Sequence, residues 1–519
     1  MARFPVAIAL AASCWAWVAL CPLATQGQTW DYSPCNVRLF VACERTVDLP
    51  PALGQSLEAS LARGLRIAGG PAWRIFPAAL PQAGEAELVE RFDAVTLKSL
   101  QAFEPQVLQI VPDPASRYFV AATGDSEQLA ADKLLLVVVR EASDGWHVRG
   151  REFDVATQQW SDVIERKTLQ PAALPEVTLD LAARCIRPLA KVEKVDGRSI
   201  VARVRAGGLA SADSRATLRP GSITVPIVRR NARNGEALPG GIYAPQWSYV
   251  VIEETRELGF AGKLHSGYGS VIPVKGGPRT ERLLLGIEPQ HTATTLELRA
   301  RVPAPKAGAK PVIGRPLAGY EIYAKKLGAE NTELMGLTDG FGKIELVPDA
   351  DPLKLFYIKN GGQMLARLPL LVGQHSSTVA NVLDDDPRLL TEAYVKALQY
   401  RVMDLVARRE ILAVRIRAKL KKGDYKAARQ LLAEFRALPG SSQLMRELEE
   451  TQRRMGTTTG VTGQRIERLF AEGRKLLQSF LPPAAAEDLA REIAEAERKG
   501  PPKSTDDSPE TPPETRPAA

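Results

Sequence analysis

The stretch Leu134-Leu135-Leu136-Val137-Val138-Val139, followed by Asp144-Gly145 and then Trp146-His147-Val148, decides the fold class of the N-terminal third. Six consecutive apolar residues, half of them β-branched, suit a strand covered on both faces. Asp-Gly between two such runs turns the chain back on itself, and Trp146 to Phe153 is the returning strand. A strand apolar on both sides needs helices above and below it. Upstream, Asp48 with Pro50 and Pro51 reads as a helix start, and Leu53, Leu57, Leu61 and Leu65 recur every four residues until Gly69-Gly70. Leu88 to Leu100 reads as a second helical stretch and Val177 to Ile186 as a third, with strands at Asn36 to Ala42 and Ala72 to Phe76. Residues 29–187 are therefore expected to form an α/β domain.

The character changes over residues 188–280. Val192 and Val195 precede Asp196-Gly197, and Ile200, Ala202 and Val204 alternate after it, a hairpin pattern. Further strands are expected at Ile223 to Val228, Tyr249 to Ile252 and Val271 to Val274, with turns at Pro220-Gly221 and Asn234-Gly235. This predicts a small β-barrel or sandwich, similar in rhythm to SH3-like modules.

In residues 281–383, Gly314-Arg315-Pro316-Leu317-Ala318-Gly319-Tyr320-Glu321-Ile322-Tyr323 is followed by Leu337-Thr338-Asp339-Gly340-Phe341-Gly342-Lys343-Ile344-Glu345-Leu346. Tyr320, Ile322 and Ala324 alternate. Asp339 can accept from nearby backbone N–H groups, and Gly342 can take a positive φ. The pattern resembles the carboxypeptidase regulatory-like domain. That resemblance implies a transthyretin-like β-sandwich serving as an interaction or stabilising module without catalytic residues of its own. The chain as a whole is similar in plan to exported bacterial proteins that carry such a sandwich.

Residues 384–498 read as helical hairpins. Asp386 is the expected cap of a first helix, with Pro387 at its first position. Leu390, Tyr394, Leu398, Val402 and Leu405 are its expected apolar stripe, continued by Leu412, Ile416 and Leu420. Gly423, Tyr425, Ala428 and Leu432 resemble the second half of a tetratricopeptide repeat, but no second copy follows, so a repeat array is not expected. Residues 499–519 are rich in Pro, Ser, Thr, Asp and Glu and are expected to be disordered. The fold class expected is multidomain α+β.

The 519-residue chain carries a formal net charge of +8, and the excess is concentrated. Between Pro387 and Phe480, twenty Lys and Arg face ten Asp and Glu. A basic block of this kind favours anionic partners. At the other end, Arg3 precedes an apolar run from Phe4 to Leu20, then Pro22 and small or polar residues. That order is a secretory signal over residues 1–28, with an uncleaved signal anchor as the alternative. The expected location is the periplasm, the cell envelope or the medium. Beyond the leader remain Cys35, Cys43 and Cys185. Cys35 and Cys43 flank a strand and are too far apart to pair if it is straight, which leaves Cys185 as a partner for either.

No residue constellation for catalysis, cofactor or metal binding is expected. Zinc peptidases that carry a regulatory-like domain use His-x-x-Glu, but three residues after His147, His265, His291 and His375 stand Gly150, Tyr268, Thr294 and Thr378. His265-Ser266-Gly267-Tyr268-Gly269 lacks the leading Gly of a nucleophile elbow and lies among strands. His375-Ser376-Ser377 reads as a solvated turn. Asp349 with Asp351 lacks EF-hand spacing, and Asp384 to Asp386 reads as helix capping. Tyr320, Tyr323, Phe341, Phe356 and Tyr357 could stack on a glycan, although at least three are expected in the core. The function expected is a non-enzymatic envelope binding or scaffold protein, its partner an envelope protein or an anionic surface polymer. A glycan is a further candidate ligand, membrane-surface contact would use the basic helices, and nucleic acid is not expected. The alternative is an exported hydrolase with Glu152, Asp154 and His147 in the α/β domain.

Overall fold

The computed structural model describes residues 30–44, 51–78, 80–97, 99–100, 109–110, 120–121, 131–269, 271–302, 312–455 and 460–500. The expected leader lies outside these residues, as does nearly all of the expected tail. The chain divides into two compact units. One comprises residues 1–299, 315–359 and 366–380, the other 300–314, 360–365 and 381–519.

The first unit opens with a mixed sheet. Its strands are β1 (Cys35–Cys43), β2 (Trp73–Pro77), β5 (Lys133–Ala142), β6 (Gly145–Asp154), β7 (Gln159–Trp160) and β8 (Ile164–Thr168). A separate short pair is β3 (Gln109–Ile110) and β4 (Val120–Ala121). The sheet order is β2-β1-β5-β6-β7, with β8 on β6, and β1 runs parallel to both β2 and β5. Alternation along β5 explains the apolar run. Leu135, Val137 and Val139 pack with Leu57, Leu61 and Leu65 of α1 (Pro51–Gly69) and Leu181 of α3 (Leu174–Cys185). Leu134, Leu136 and Val138 face the other way, toward Leu88 of α2 (Gln82–Glu90) and Phe92. The expected second helical stretch is interrupted: α2 ends at Glu90, a 3-10 turn spans Phe92–Ala94, and Leu97, Ser99 and Leu100 are helical again. Cys35, Cys43 and Cys185 are all free thiols, so the expected pairing with Cys185 is not made; Cys35 and Cys185 are buried in apolar surroundings.

Seven strands follow: β9 (Leu189–Asp196), β10 (Ser199–Val204), β11 (Ile223–Asn231), β12 (Ala237–Tyr243), β13 (Ser248–Arg256), β14 (Gly259–Ser266) and β15 (Thr280–Ile287). Six of them close into an antiparallel barrel in the order β9-β10-β14-β13-β11-β15, β15 pairing back onto β9, while β12 lies outside on β11. Inward residues such as Val192, Ile200, Ala202, Val250, Phe260 and Leu284 fill it. Two expectations are corrected. Val271 to Val274 is not a strand, and residues 281–287, assigned from sequence to the following domain, complete the barrel: their strand pairs with both β11 and β9, Leu284 pointing into the barrel and Leu283 and Leu285 packing outside it. Arg205, just past β10, binds the segment preceding β1. Its guanidinium donates to the carbonyls of Trp30 (3.0 Å), Ser33 and Pro34 (3.3 Å) and to Asp132 (3.4 Å).

The next strands are β16 (Thr294–Ala300), β17 (Glu321–Lys326), β18 (Glu333–Leu337), β19 (Lys343–Leu346), β20 (Leu353–Asn360), β21 (Gln363–Leu371) and β22 (Ser377–Val382). They form a three-stranded sheet, β19-β16-β22, and a four-stranded one, β18-β17-β20-β21. Tyr320, Ile322 and Ala324 are buried in alternation. Asp339 accepts from the amides of Phe341 (2.9 Å) and Lys343 (2.8 Å), and Gly342 sits at φ 74°.

The second unit contains α4 (Asp386–Lys421), α5 (Tyr425–Ala437), α6 (Ser441–Met455), α7 (Gly460–Phe480) and α8 (Ala485–Lys499). The long α4 is the spine. Leu398, Val402 and Leu405 pack on α6 and α7, and Ala413 and Ile416 on α5 and α8. Asp424 caps α5, accepting from the Ala427 amide at 3.2 Å. At the start of α4 the cap position is Asp385 and not Asp386, and Arg388 takes the Asp385 carboxylate at 2.6 Å. Leu390, expected in the buried stripe, is exposed. No described helix is long and apolar enough to cross a membrane.

Candidate functional site

The residues of the alternative hydrolase reading do not converge. Glu152 and Asp154 share one face of β6 and are buried with Lys133, whose ammonium donates to each at 2.7 Å. Asp154 also accepts from the amide and hydroxyl of Thr157, both at 2.8 Å, and Glu152 from the Arg187 amide at 2.5 Å. Burial disfavours the Lys133 charge, but Asp154 and then Glu152 outweigh it and raise its pKa. Every charge in this cluster is answered, as a buried ionic group requires. His147 stands five residues away along β6, about 16 Å. It is bound near the start of β6 between Glu165 (2.7 Å) and Asp144 (2.8 Å).

Other sequence candidates are also accounted for. Ser266 lies in β14 beside Ser248, their hydroxyls 2.9 Å apart, with no helix following. Asp349 and Asp351 are paired with Lys354 (2.8 Å) and Lys326 (3.0 Å). Asp384 accepts from the Asp386 amide at 3.2 Å, and Asp386 accepts from the Asn360 carboxamide at 3.0 Å. Of the five aromatics, Tyr320 and Phe356 are buried, while Tyr323 and Tyr357 are half-buried beneath Lys359 and Arg367. Only Phe341 is exposed, so these rings make no shared flat platform.

The sequence reading missed a cleft of about 460 Å³ formed within the first unit. One wall is β7 and the connection to β8, with Trp160 and Asp162. A second comes from the barrel, with Trp247, Glu288 and Gln290. The third carries Gln374 and His375. Gly373 joins the last two walls: its carbonyl accepts from the amides of Gln290 (2.8 Å) and His291 (2.9 Å). A Cβ on Gly373 would lie 2.8 Å from the His291 carbonyl, and its φ is 85°, so only glycine suits this approach.

His375 Nδ1 donates to Asp162 Oδ2 at 2.5 Å, and His291 Nε2 stands 3.7 Å from the same oxygen. Burial pushes the Asp162 carboxyl up. The hydrogen bond from His375, then the charges of His375, His291 and Arg187, carry it below the usual carboxylate value. The neighbouring hydroxyls are otherwise engaged. Ser161 accepts from the Glu152 amide and donates to the Asp162 carbonyl, and Ser248 is bound to Ser266. The Thr294 hydroxyl donates to the His375 backbone carbonyl at 2.7 Å, but among the described residues no hydrogen bond joins the His375 imidazole to a hydroxyl or thiol.

Two features set the cleft apart from ordinary surface. The side-chain oxygens of Gln290 and Gln374 are buried there without a hydrogen-bond partner. Trp247 is held at φ 55°, a conformation costly for a bulky side chain, and its carbonyl is fixed by the Gly267 amide at 2.9 Å. Trp160 presents a half-buried ring whose other surroundings are the Arg151 guanidinium, 4.0 Å from its centroid, and Phe153 at 5.0 Å. The arrangement is equipped to bind: acceptors seeking donors, aromatic surface and an ion pair. No group of three or more metal-ligating side chains is found among the described residues.

No protein-family model matches the chain, and no curated protein matches it. Among solved structures, the PelC dodecamer from Paraburkholderia phytofirmans is 20% identical over 29% of this chain and 83% of that one, with a TM-score of 0.15. TolB from Acinetobacter baumannii is 10% identical over 68% of this chain and 96% of that one, with a TM-score of 0.18. Likeness at this level carries no functional argument.

Proposed function

We propose that the chain is a non-enzymatic, exported binding protein of the cell envelope whose cleft holds a hydroxyl-bearing polar ligand such as a short glycan. The observation that carries this reading is the pair of buried, unpartnered oxygens on Gln290 and Gln374. A buried acceptor left unmade costs ~1–3 kcal/mol, and a ligand hydroxyl would answer each. The cleft volume of about 460 Å³ falls in the ordinary range for small-ligand sites. The carboxypeptidase regulatory-like reading of residues 281–383, without the barrel strand at residues 281–287, is supported by the Thr338–Gly342 turn and by the pair of small antiparallel sheets. The basic leader pattern supports export.

The test is saturable binding of maltotriose, cellotriose and chitotriose, followed by calorimetry and product analysis. Binding of at least one, weakened ~10-fold or more in Gln290→Ala/Gln374→Ala, is expected, without turnover. Binding by none, or binding indifferent to that variant, would remove the glycan reading. A second reading, hydrolysis in the same cleft, draws on the Asp162–His375 hydrogen bond, which orients an imidazole for general-base work. Product formation lost in His375→Ala would put it first.

A further inference from the structure

The helical unit carries an apolar stripe that its own packing does not use. On α4, Leu390, Tyr400, Met403, Ile411 and Val414 are exposed by 61%, 73%, 67%, 53% and 61%. At ~100° per residue these lie opposite the Val395, Leu398, Val402 and Leu405 face that fills the bundle. All of them except Met403 fall on a heptad. Leu390, Ala397, Asp404, Ile411 and Ala418 occupy one position of the repeat. Ala393, Tyr400, Ala407 and Val414 occupy the second, three residues further on. An alternating three-and-four spacing over four heptads is the seam of a two-helix coiled coil.

Residue size and charge choose among occupants. Four of the nine seam positions are Ala, which lets another helix backbone approach but gives a bilayer little to bury. Asp404 in mid-seam would be costly in lipid, yet a single polar seam residue commonly sets the register of a coiled coil. The flanking rows are Tyr394, Arg401, Arg408 and Arg415 on one side and Lys396, Met403, Glu410 and Arg417 on the other. Antiparallel self-pairing would set Arg against Arg along one side, and parallel self-pairing would set Lys396 against Arg401, with Glu410 the one acid in either row. Three of these cations meet acids of this chain, Arg401 with Glu447, Arg408 with Asp404 and Arg417 with Glu492. Exposed pairs of this kind are weak enough to exchange.

From the geometry we infer that α4 is a docking strip for a helix of a different protein, apolar along one seam and acidic on both flanks. This concerns another surface than the cleft and does not depend on it.

The test uses the full chain with two synthetic four-heptad helices, both with Leu and Ala in the seam. One has Glu and the other Lys at all flanking positions. The Glu-flanked peptide binds, the Lys-flanked one does not, and high salt weakens binding ~10-fold. Ile411→Glu/Val414→Glu lowers affinity by roughly 100-fold with an unchanged circular dichroism spectrum. Arg408→Glu/Arg415→Glu, which leaves the seam intact, shifts preference toward the Lys-flanked peptide. No binding, or equal binding of both peptides, overturns the proposal. So does a homodimer in sedimentation that Ile411→Glu/Val414→Glu dissolves, which assigns the face to a second copy. Binding to phosphatidylcholine–phosphatidylglycerol vesicles lost in that variant assigns it to a membrane and overturns the proposal equally.

Discussion

His375 and Asp162 stand 213 positions apart in sequence, yet the imidazole Nδ1 lies 2.5 Å from the carboxylate. The bond joins the connection after β7 to the segment after β21, across the mouth of the cleft. Because the folded Asp162 carboxyl lies below its ordinary value, its ionised form favours the native state. That contribution is present above the unfolded value of ~3.9 and is lost as pH falls through the lowered folded value. Asp162→Asn should lower the urea midpoint at neutral pH and lose part of the wild-type decline under acid. An unchanged acid dependence would show that the bond does not stabilise the fold.

Lys133 neutralises two buried carboxylates at once. Lys133→Met would leave Glu152 and Asp154 buried without their cation, a change that costs ~3–5 kcal/mol. Urea denaturation should register it, and adding Glu152→Gln and Asp154→Asn should recover part of the loss. A loss under ~1 kcal/mol would mean that water reaches the cluster in the native state.

His147 titrates high because Glu165, then Asp144, hydrogen-bond its ring. The stabilisation is present below the unfolded histidine value of ~6.5 and fades as pH rises through the raised folded value. In Glu165→Gln the His147 resonance, followed by NMR, should titrate at lower pH than in the wild type.

Thiol labelling should separate the three described cysteines. Burial pushes Cys35 and Cys185 far up, and pushes Cys43 to about 11. Thiolate is the reactive form. Under native conditions an aromatic disulfide reagent should modify Cys43 slowly, and Cys35 and Cys185 only after denaturant is added. Peptide mapping distinguishes the sites.

Gly259 closes the barrel where β14 meets β10. A Cβ there would lie 2.0 Å from the Ala202 carbonyl, and the obstacle is backbone. Gly259→Ala should cost at least ~1–3 kcal/mol, the usual penalty of overpacking, seen as a lower thermal midpoint. A midpoint equal to the wild type would contradict the tight approach.

What the sequence made legible was local. The two-sided strand at Leu134–Val139, the Asp196-Gly197 hairpin and the Asp339 turn each depend on residues within a few positions of one another. Strands β12 and β14 were missed because Gly240, Gly241, Gly259 and Gly262 depress strand propensity. The reason for Gly259 and Gly262 lies in neighbouring strands that no local window contains. The cleft was invisible for a related reason. Asp162, Gln290 and His375 carry no common spacing, and His375 looked like one end of a solvated turn. On α4 the pattern was read as one stripe, and Leu390 was placed with it. The helix has two apolar faces, and residue identity alone does not say which one the bundle covers.

The Arg205 guanidinium has a mechanical consequence. By gripping the carbonyls of Trp30, Ser33 and Pro34 and the side chain of Asp132, it fastens the entry of the first strand to the barrel. A tug from the N-terminal side would be shared by several bonds loaded together instead of peeling β1 from its sheet one rung at a time. The first rupture under tension should therefore involve the barrel as well as the domain before it.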